Sequence, residues 1–165
     1  MKKNKVAFQG ELGAYSHIAI NELFKDPEIK TCATFEETFK VAFDNEEYKI
    51  VIPLENSLAG RVADIHYLLP KYKLQIHGEY FQPVEHNLLC KPEASIDDIK
   101  FIRSHAQAIG QCQKIIMQNK YQTIISADTA GSAKELSEGK DKTVAAIASS
   151  LSATIYDLKI LKKNI

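Results

Sequence analysis

The feature that most constrains this chain is an alternation that runs from one end to the other. Short β-branched or apolar runs occur at Lys5 to Phe8, Ile29 to Ala33, Lys49 to Pro53, Leu74 to Phe81, Phe101 to Arg103, Thr123 to Ser126 and Thr143 to Ile147. Between them lie stretches with helical spacing. Ile109, Cys112, Ile115 and Ile116 share one helical face, Val62, Ile65 and Leu69 a second, and Phe35, Thr38, Phe39 and Ala42 a third. Strand and helix in turn predict an α/β fold in which such faces cover a mostly parallel sheet. No internal repeat or Pro/Gly-rich linker marks a separable second domain. The extended stretch from Leu74 to Leu89, interrupted by Gly78 and Pro83, is the expected crossover if there are two lobes.

Composition narrows the function. With 165 residues, 45% of them hydrophobic, the chain can bury a core without staples. Its 21 basic and 21 acidic residues leave no net field for nucleic acid or an anionic membrane, so any bound anion must be held by local geometry. Cys32, Cys90 and Cys112 are odd in number and widely spaced, which predicts reduced, mostly buried thiols in the cytoplasm. No stretch approaches a membrane span, and the residues after the basic start lack the apolar run of a secretion signal. No two of the five histidines have metal-ligand spacing, so no metal is expected.

Ligands of open α/β sheets bind outside the carboxyl ends of strands, where helix N-termini offer free N–H groups. Four expected strand-to-helix junctions carry small polar residues: Gly10 to Ser16, Pro53 to Gly60, Ser104 to Gln107, and Asp128 to Ser132. Each also has a plainer reading. Ser104 with Gln107, and Thr34 with Glu37, fit capping boxes; Asp128 or Thr129 fits an N-cap; and an Asn-Ser pair such as Asn56-Ser57 is common in turns. Gly10-x-x-Gly13 lacks the third glycine of a dinucleotide-binding turn. Taken singly, these junctions leave function open.

Their order and spacing carry more. Gly10-Glu11-Leu12-Gly13-Ala14-Tyr15-Ser16, Pro53-Leu54-Glu55-Asn56-Ser57 with Gly60 and Val62, Ser104-His105-x-Gln107-Ala108 with Gln111-Cys112, and Asp128-Thr129-Ala130 with Ala133 and Leu136 resemble the motifs of the prephenate dehydratase family. So do Ala145 to Ser149 and Tyr156 to Leu161. The resemblance implies two Rossmann-like lobes with a ligand cleft between them, similar to type II periplasmic binding proteins. On that view residues 1–75 form the first lobe, 76–158 the second, and 159–165 the start of a return segment. It also implies a cytoplasmic enzyme of phenylalanine biosynthesis that converts prephenate to phenylpyruvate with no cofactor and no metal. Its partner is that small-molecule substrate, and the chain is expected to form a homodimer.

The resemblance assigns Asn56, Ser57, Gln107 and Thr129 as catalytic, and Tyr15, Ser16, Glu55, Gly60, Ser104, His105 and Ala130 as substrate-binding. Ala106 stands where the family usually has proline after Ser-His. Family members continue past a position like Ile165 into a Thr-Arg-Phe strand, whose threonine is the favoured general acid, and then usually into a regulatory ACT domain. The expectation is therefore either a dehydratase domain that lacks these parts or a catalytically impaired form that only binds an aromatic acid. Arogenate dehydratase is the enzymatic alternative.

Overall fold

The computed structural model describes residues 3–165 and divides into two compact units. The first comprises residues up to Gly10 together with Tyr15–Gln82; the second comprises Glu11–Ala14 and Pro83–Ile165. The chain passes from the first unit to the second between Gln82 and Pro83.

In the first unit, β1 (Lys5–Gln9), α1 (Tyr15–Leu23), β2 (Glu28–Cys32), α2 (Phe35–Asp44) and β3 (Tyr48–Ile50) follow in the expected alternation. The sheet is fully parallel with order β2-β1-β3, so the most buried strand is the central one. Thr34 caps α2 by accepting from the Glu37 N–H at 3.1 Å, while Glu37 reaches back to the Ala33 N–H at 2.9 Å. The expected stripe buries Thr38 and Phe39, and Phe39 packs with Ile65 and Leu68 of α3 (Ala63–Tyr72).

The segment from Pro53 to Gly60 corrects the sequence reading. It forms a hairpin, β4 (Glu55–Asn56) against β5 (Gly60–Arg61), rather than a strand running directly into a helix. Asn56 builds the turn, its Oδ1 accepting from the N–H groups of Leu58 and Ala59, both at 2.9 Å. Gly60 closes it at φ +81°, the left-handed position such three-residue loops require.

The expected strand from Leu74 to Phe81 is also absent, and residues 74–86 have no regular structure. Ile76 and Phe81 are 70% and 85% exposed, so β-propensity there finds no ladder to join.

The second unit holds β6 (Asn87–Cys90), β7 (Phe101–Ser104), α4 (Ala106–Gln111), α5 (Gln113–Asn119), β8 (Gln122–Ile125), α6 (Thr129–Glu138), β9 (Val144–Ala148), α7 (Ser150–Ile155) and β10 (Lys159–Lys162). Its sheet has order β10-β6-β9-β7-β8 and is mixed: β8, β7 and β9 are parallel, whereas β6 and β10 enter antiparallel. Residues 159–162 are therefore an edge strand of this sheet, and the Ile165 N–H donates to the His86 carbonyl at 3.0 Å.

Period-two alternation sorts the core. Leu88, Cys90, Ala145 and Ile147 face one layer with Ile109, Cys112, Ile115 and Ile116; Leu89 and Ala148 face the other with Ala133 and Ala153. The helix predicted across 109–116 is broken at Cys112 into α4 and α5, yet all four predicted face residues remain buried.

Candidate active site

In the second unit the ends of three parallel strands lie level. Ser104 pairs with Ile125, Arg103 pairs with Ala146, and the Ser126 N–H donates to the Ser104 carbonyl at 2.9 Å. The chain leaves β7 towards β8 and returns to β9 on the opposite side of β7, so the switch point of this sheet lies between β7 and β9. The turn that opens α4 stands there, with His105, Gln107 and Ala108. The Asp128-Thr129 turn ends the neighbouring β8 side of the same edge.

Backbone donors shape both turns. His105, not Ser104, is the N-cap of α4: its Nδ1 accepts from the Gln107 N–H at 3.3 Å. With Nδ1 engaged by the backbone, Nε2 is the ring nitrogen left for another partner. Ser104 is fully buried and donates to the Ile147 carbonyl at 2.7 Å. The Ser104–Gln107 capping box predicted from spacing is therefore not formed, because the serine points across the sheet to the adjacent strand. Gln107 is exposed, and its side-chain amide makes no hydrogen bond among the described residues.

Asp128 caps α6, its Oδ1 accepting from the Gly131 N–H at 2.6 Å. Thr129 is half-buried at the first position of that helix, and Ala130 behind it is fully buried. Arg103, one residue before Ser104, is paired with Glu135, so its charge is already balanced.

In the first unit the switch point lies between β1 and β3. The turn after β1 leads to Tyr15 and Ser16, both half-buried at the start of α1. The chain after β3 leads to the hairpin with Glu55, Asn56, Ser57 and Gly60. Glu55, Ser57 and Gly60 are exposed and Asn56 is half-buried. With Oδ1 of Asn56 committed to the turn, its Nδ2 is the group left to donate.

Sequence reasoning missed the serines at the end of β9. Ser149 caps α7 by accepting from the Ser152 N–H at 3.0 Å, and both side chains are buried. Their signal was the Ser-x-x-Ser spacing directly after an apolar strand.

A family model described as prephenate dehydratase matches residues 6–165. A bifunctional N-acyl-homoserine lactone acylase/prephenate dehydratase of Komagataeibacter europaeus is 39% identical over 97% of this chain and 57% of its own length. Arogenate dehydratase/prephenate dehydratase 1 of Arabidopsis thaliana is 38% identical over 99% of this chain and 42% of its own. The crystal structure of a prephenate dehydratase from Staphylococcus aureus, 25% identical, superposes with a TM-score of 0.81 over 98% of this chain and 60% of that one. This chain spans about half the length of the curated relatives it matches. The order of its motifs, the mixed α/β architecture and a match that covers nearly every residue agree: the chain belongs to the prephenate dehydratase family.

Proposed function

We propose that this chain carries out the decarboxylative dehydration of prephenate to phenylpyruvate, with Asn56, Ser57, Gln107 and Thr129 as its principal contacts to the substrate. The observation that carries this reading is the switch point between β7 and β9, where Gln107 and Nε2 of His105 are offered at a strand edge in a chain of this family.

The chemistry sets what the residues must do. The bond from the ring to its carboxylate breaks, carbon dioxide leaves, and the freed electron pair enters the ring. The 4-hydroxyl then departs and takes up a proton to become water. Aromatisation drives the reaction, so the protein supplies geometry and a proton. Protonating a poor leaving group is worth about 10²–10⁴ in rate.

A strong cation on the ring carboxylate would stabilise the ground state and oppose its loss. Neutral donors suit that task, and the pairing of Arg103 with Glu135 removes one of the chain's two arginines from it. The amides of Asn56 and Gln107, the hydroxyls of Ser57 and Thr129, and Tyr15 and Ser16 at the start of α1 orient the two carboxylates instead. Glu55 and His105 are the titratable neighbours available to the proton transfer. Ser104 acts at one remove, since its buried bond to Ile147 fixes the end of β7.

The chain is further proposed to be cytoplasmic, which its three free, buried cysteines support, and to form a homodimer, supported by exposed apolar side chains such as Leu58 and Phe81.

The test is phenylpyruvate formation by the wild-type chain and by Gln107→Ala. Loss of a transition-state hydrogen bond should lower kcat/KM roughly a hundredfold, about 3 kcal/mol. Stability should move by less than about 0.5 kcal/mol, because the cap belongs to His105. Equal activity of the two proteins would remove Gln107 from the site. Arogenate is assayed beside prephenate, and faster turnover of arogenate would replace the substrate named here. Hydrolysis of an N-acyl-homoserine lactone, the other activity in the Komagataeibacter protein's name, is scored in the same series.

A further inference from the structure

The four residues Glu11–Ala14 join β1 to α1, both in the first unit, yet they pack as part of the second. Two helices of that unit with their caps, α6 and α7, hold them. Ser149 donates from Oγ to the Gly13 carbonyl at 2.5 Å, and Ser152 Oγ lies 3.1 Å from the same oxygen. The Tyr156 hydroxyl donates to the Leu12 carbonyl at 2.9 Å, while its ring packs against the cluster of Leu89, Ala133, Ala148 and Ala153. Lys134 of α6 reaches Glu11 at 3.1 Å.

The approach is too close for a side chain. Gly13 sits at φ +93°, and a Cβ built there would lie 2.5 Å from Ser152 Oγ and 2.8 Å from Ser152 Cα. Burial, together with the nearby Glu11 carboxylate, pushes the Tyr156 phenol up to about 12, so it stays a donor throughout the working pH range.

Capping α7 does not require this arrangement. Ser149 already serves the cap by accepting from the Ser152 N–H; its own proton is spent on the Gly13 carbonyl, which belongs to a distant segment. A cap alone would leave that proton to any local acceptor.

We propose that Ser149, Ser152 and Tyr156 are positioning residues that clamp Glu11–Ala14 and thereby hold the start of α1, with Tyr15 and Ser16, in a single binding conformation. This rests on the reading of Tyr15 and Ser16 as substrate contacts. The clamp acts through backbone carbonyls, so it constrains the turn whatever side chains occupy positions 11 and 12.

The experiment compares Ser149→Ala with Thr34→Ala, which deletes a capping hydroxyl of the same kind from α2, where it accepts from the Glu37 N–H. Ser152→Ala, which leaves the α7 cap acceptor in place, and Ser149→Thr, which keeps the hydroxyl, complete the set. Two quantities are read on the whole chain: amide hydrogen exchange at Ala14 to Ser16, and the affinity for phenylpyruvate. Losing a buried donor to a carbonyl should speed exchange at these amides and weaken phenylpyruvate binding each by about tenfold in Ser149→Ala. Ser152→Ala should shift both in the same sense by less, and Ser149→Thr should restore both.

Thr34→Ala should change neither, although it loses similar thermal stability. Equal effects of Ser149→Ala and Thr34→Ala would reduce Ser149 to a cap and overturn the proposal, and so would faster exchange with unchanged affinity. If the wild-type chain binds no phenylpyruvate, the substrate reading fails by itself. Exchange at Ala14 to Ser16 then decides the clamp: unchanged exchange in Ser149→Ala refutes it, and faster exchange in Ser149→Ala but not Thr34→Ala upholds it.

Discussion

The two units solve the same problem with different depth. In the second, the candidate residues follow β7 and β8 in a five-stranded sheet whose neighbouring strands are sealed: β6 is buried at every position, and β9 at all but its first. In the first, the sheet has three strands, only β1 is well buried, and Asn56 and Ser57 sit on a hairpin of two-residue strands with exposed flanks. His105 and Thr129 are therefore held by a core, whereas Asn56 and Ser57 are held by a turn whose geometry depends on two hydrogen bonds and one glycine. Precision at the second site comes from packing, and at the first from local backbone chemistry.

The sharpest way to break this contrast is through the thin core of the first unit. Phe39→Ala removes the largest fully buried side chain between α2 and α3 and should cost about 3–5 kcal/mol. Hydrogen exchange should show the loss at the amides of β1 and β3; a uniform loss over β6 to β9 as well would mean that the two units do not differ in depth as described.

A smaller effect should follow at the hairpin. Gly60→Ala forces a Cβ into the left-handed region at a cost of about 1–2 kcal/mol, although nothing stands within 4 Å to clash with it. Its consequence for turnover should exceed its consequence for melting temperature, because Asn56 moves with the turn. A melting-temperature loss without a kinetic one would separate the hairpin from the site.

The smallest effect is one of pH, and it samples both units. His17 stacks on Phe8 in the first, and His86 bonds Gln111 at 2.8 Å in the second. Burial holds both imidazoles below the usual histidine value, and the Gln111 bond offsets part of this for His86. The unfolded chain takes up protons near pH 6.5 that the folded chain resists, so stability is complete above that value and declines as pH falls through it towards the lower folded values. Urea midpoints should therefore drop between about pH 7.5 and about pH 5.5, and His17→Gln and His86→Gln should each flatten part of the slope. A midpoint that does not change with pH would show that neither ring is protected.

Much of this was legible in the residues. Periodicity located six of the seven expected strands, and the faces through Phe39, Ile65 and Ile109 to Ile116 are buried as predicted. Thr34 with Glu37 and Asp128 were read correctly as caps because a cap is a local event, decided within four residues. The failure at Leu74 to Phe81 has the converse cause: a strand needs a partner, and no sequence window shows whether one is present. Ser104 was misread for the same reason, since its acceptor, Ile147, lies 43 positions away.

By itself, then, the sequence determined the alternation of elements, the core faces, the local caps and the family, since each is written in spacing that a short window or an ordered set of motifs can carry. Only the tertiary structure decided that Lys159–Lys162 closes the second sheet antiparallel to β6, that the segment at Asn56 is a hairpin, and that Glu11–Ala14 is gripped by Ser149, Ser152 and Tyr156. Strand pairing and hydrogen bonds across more than a hundred positions depend on which surfaces meet in space, and that is settled by the packing of the whole chain.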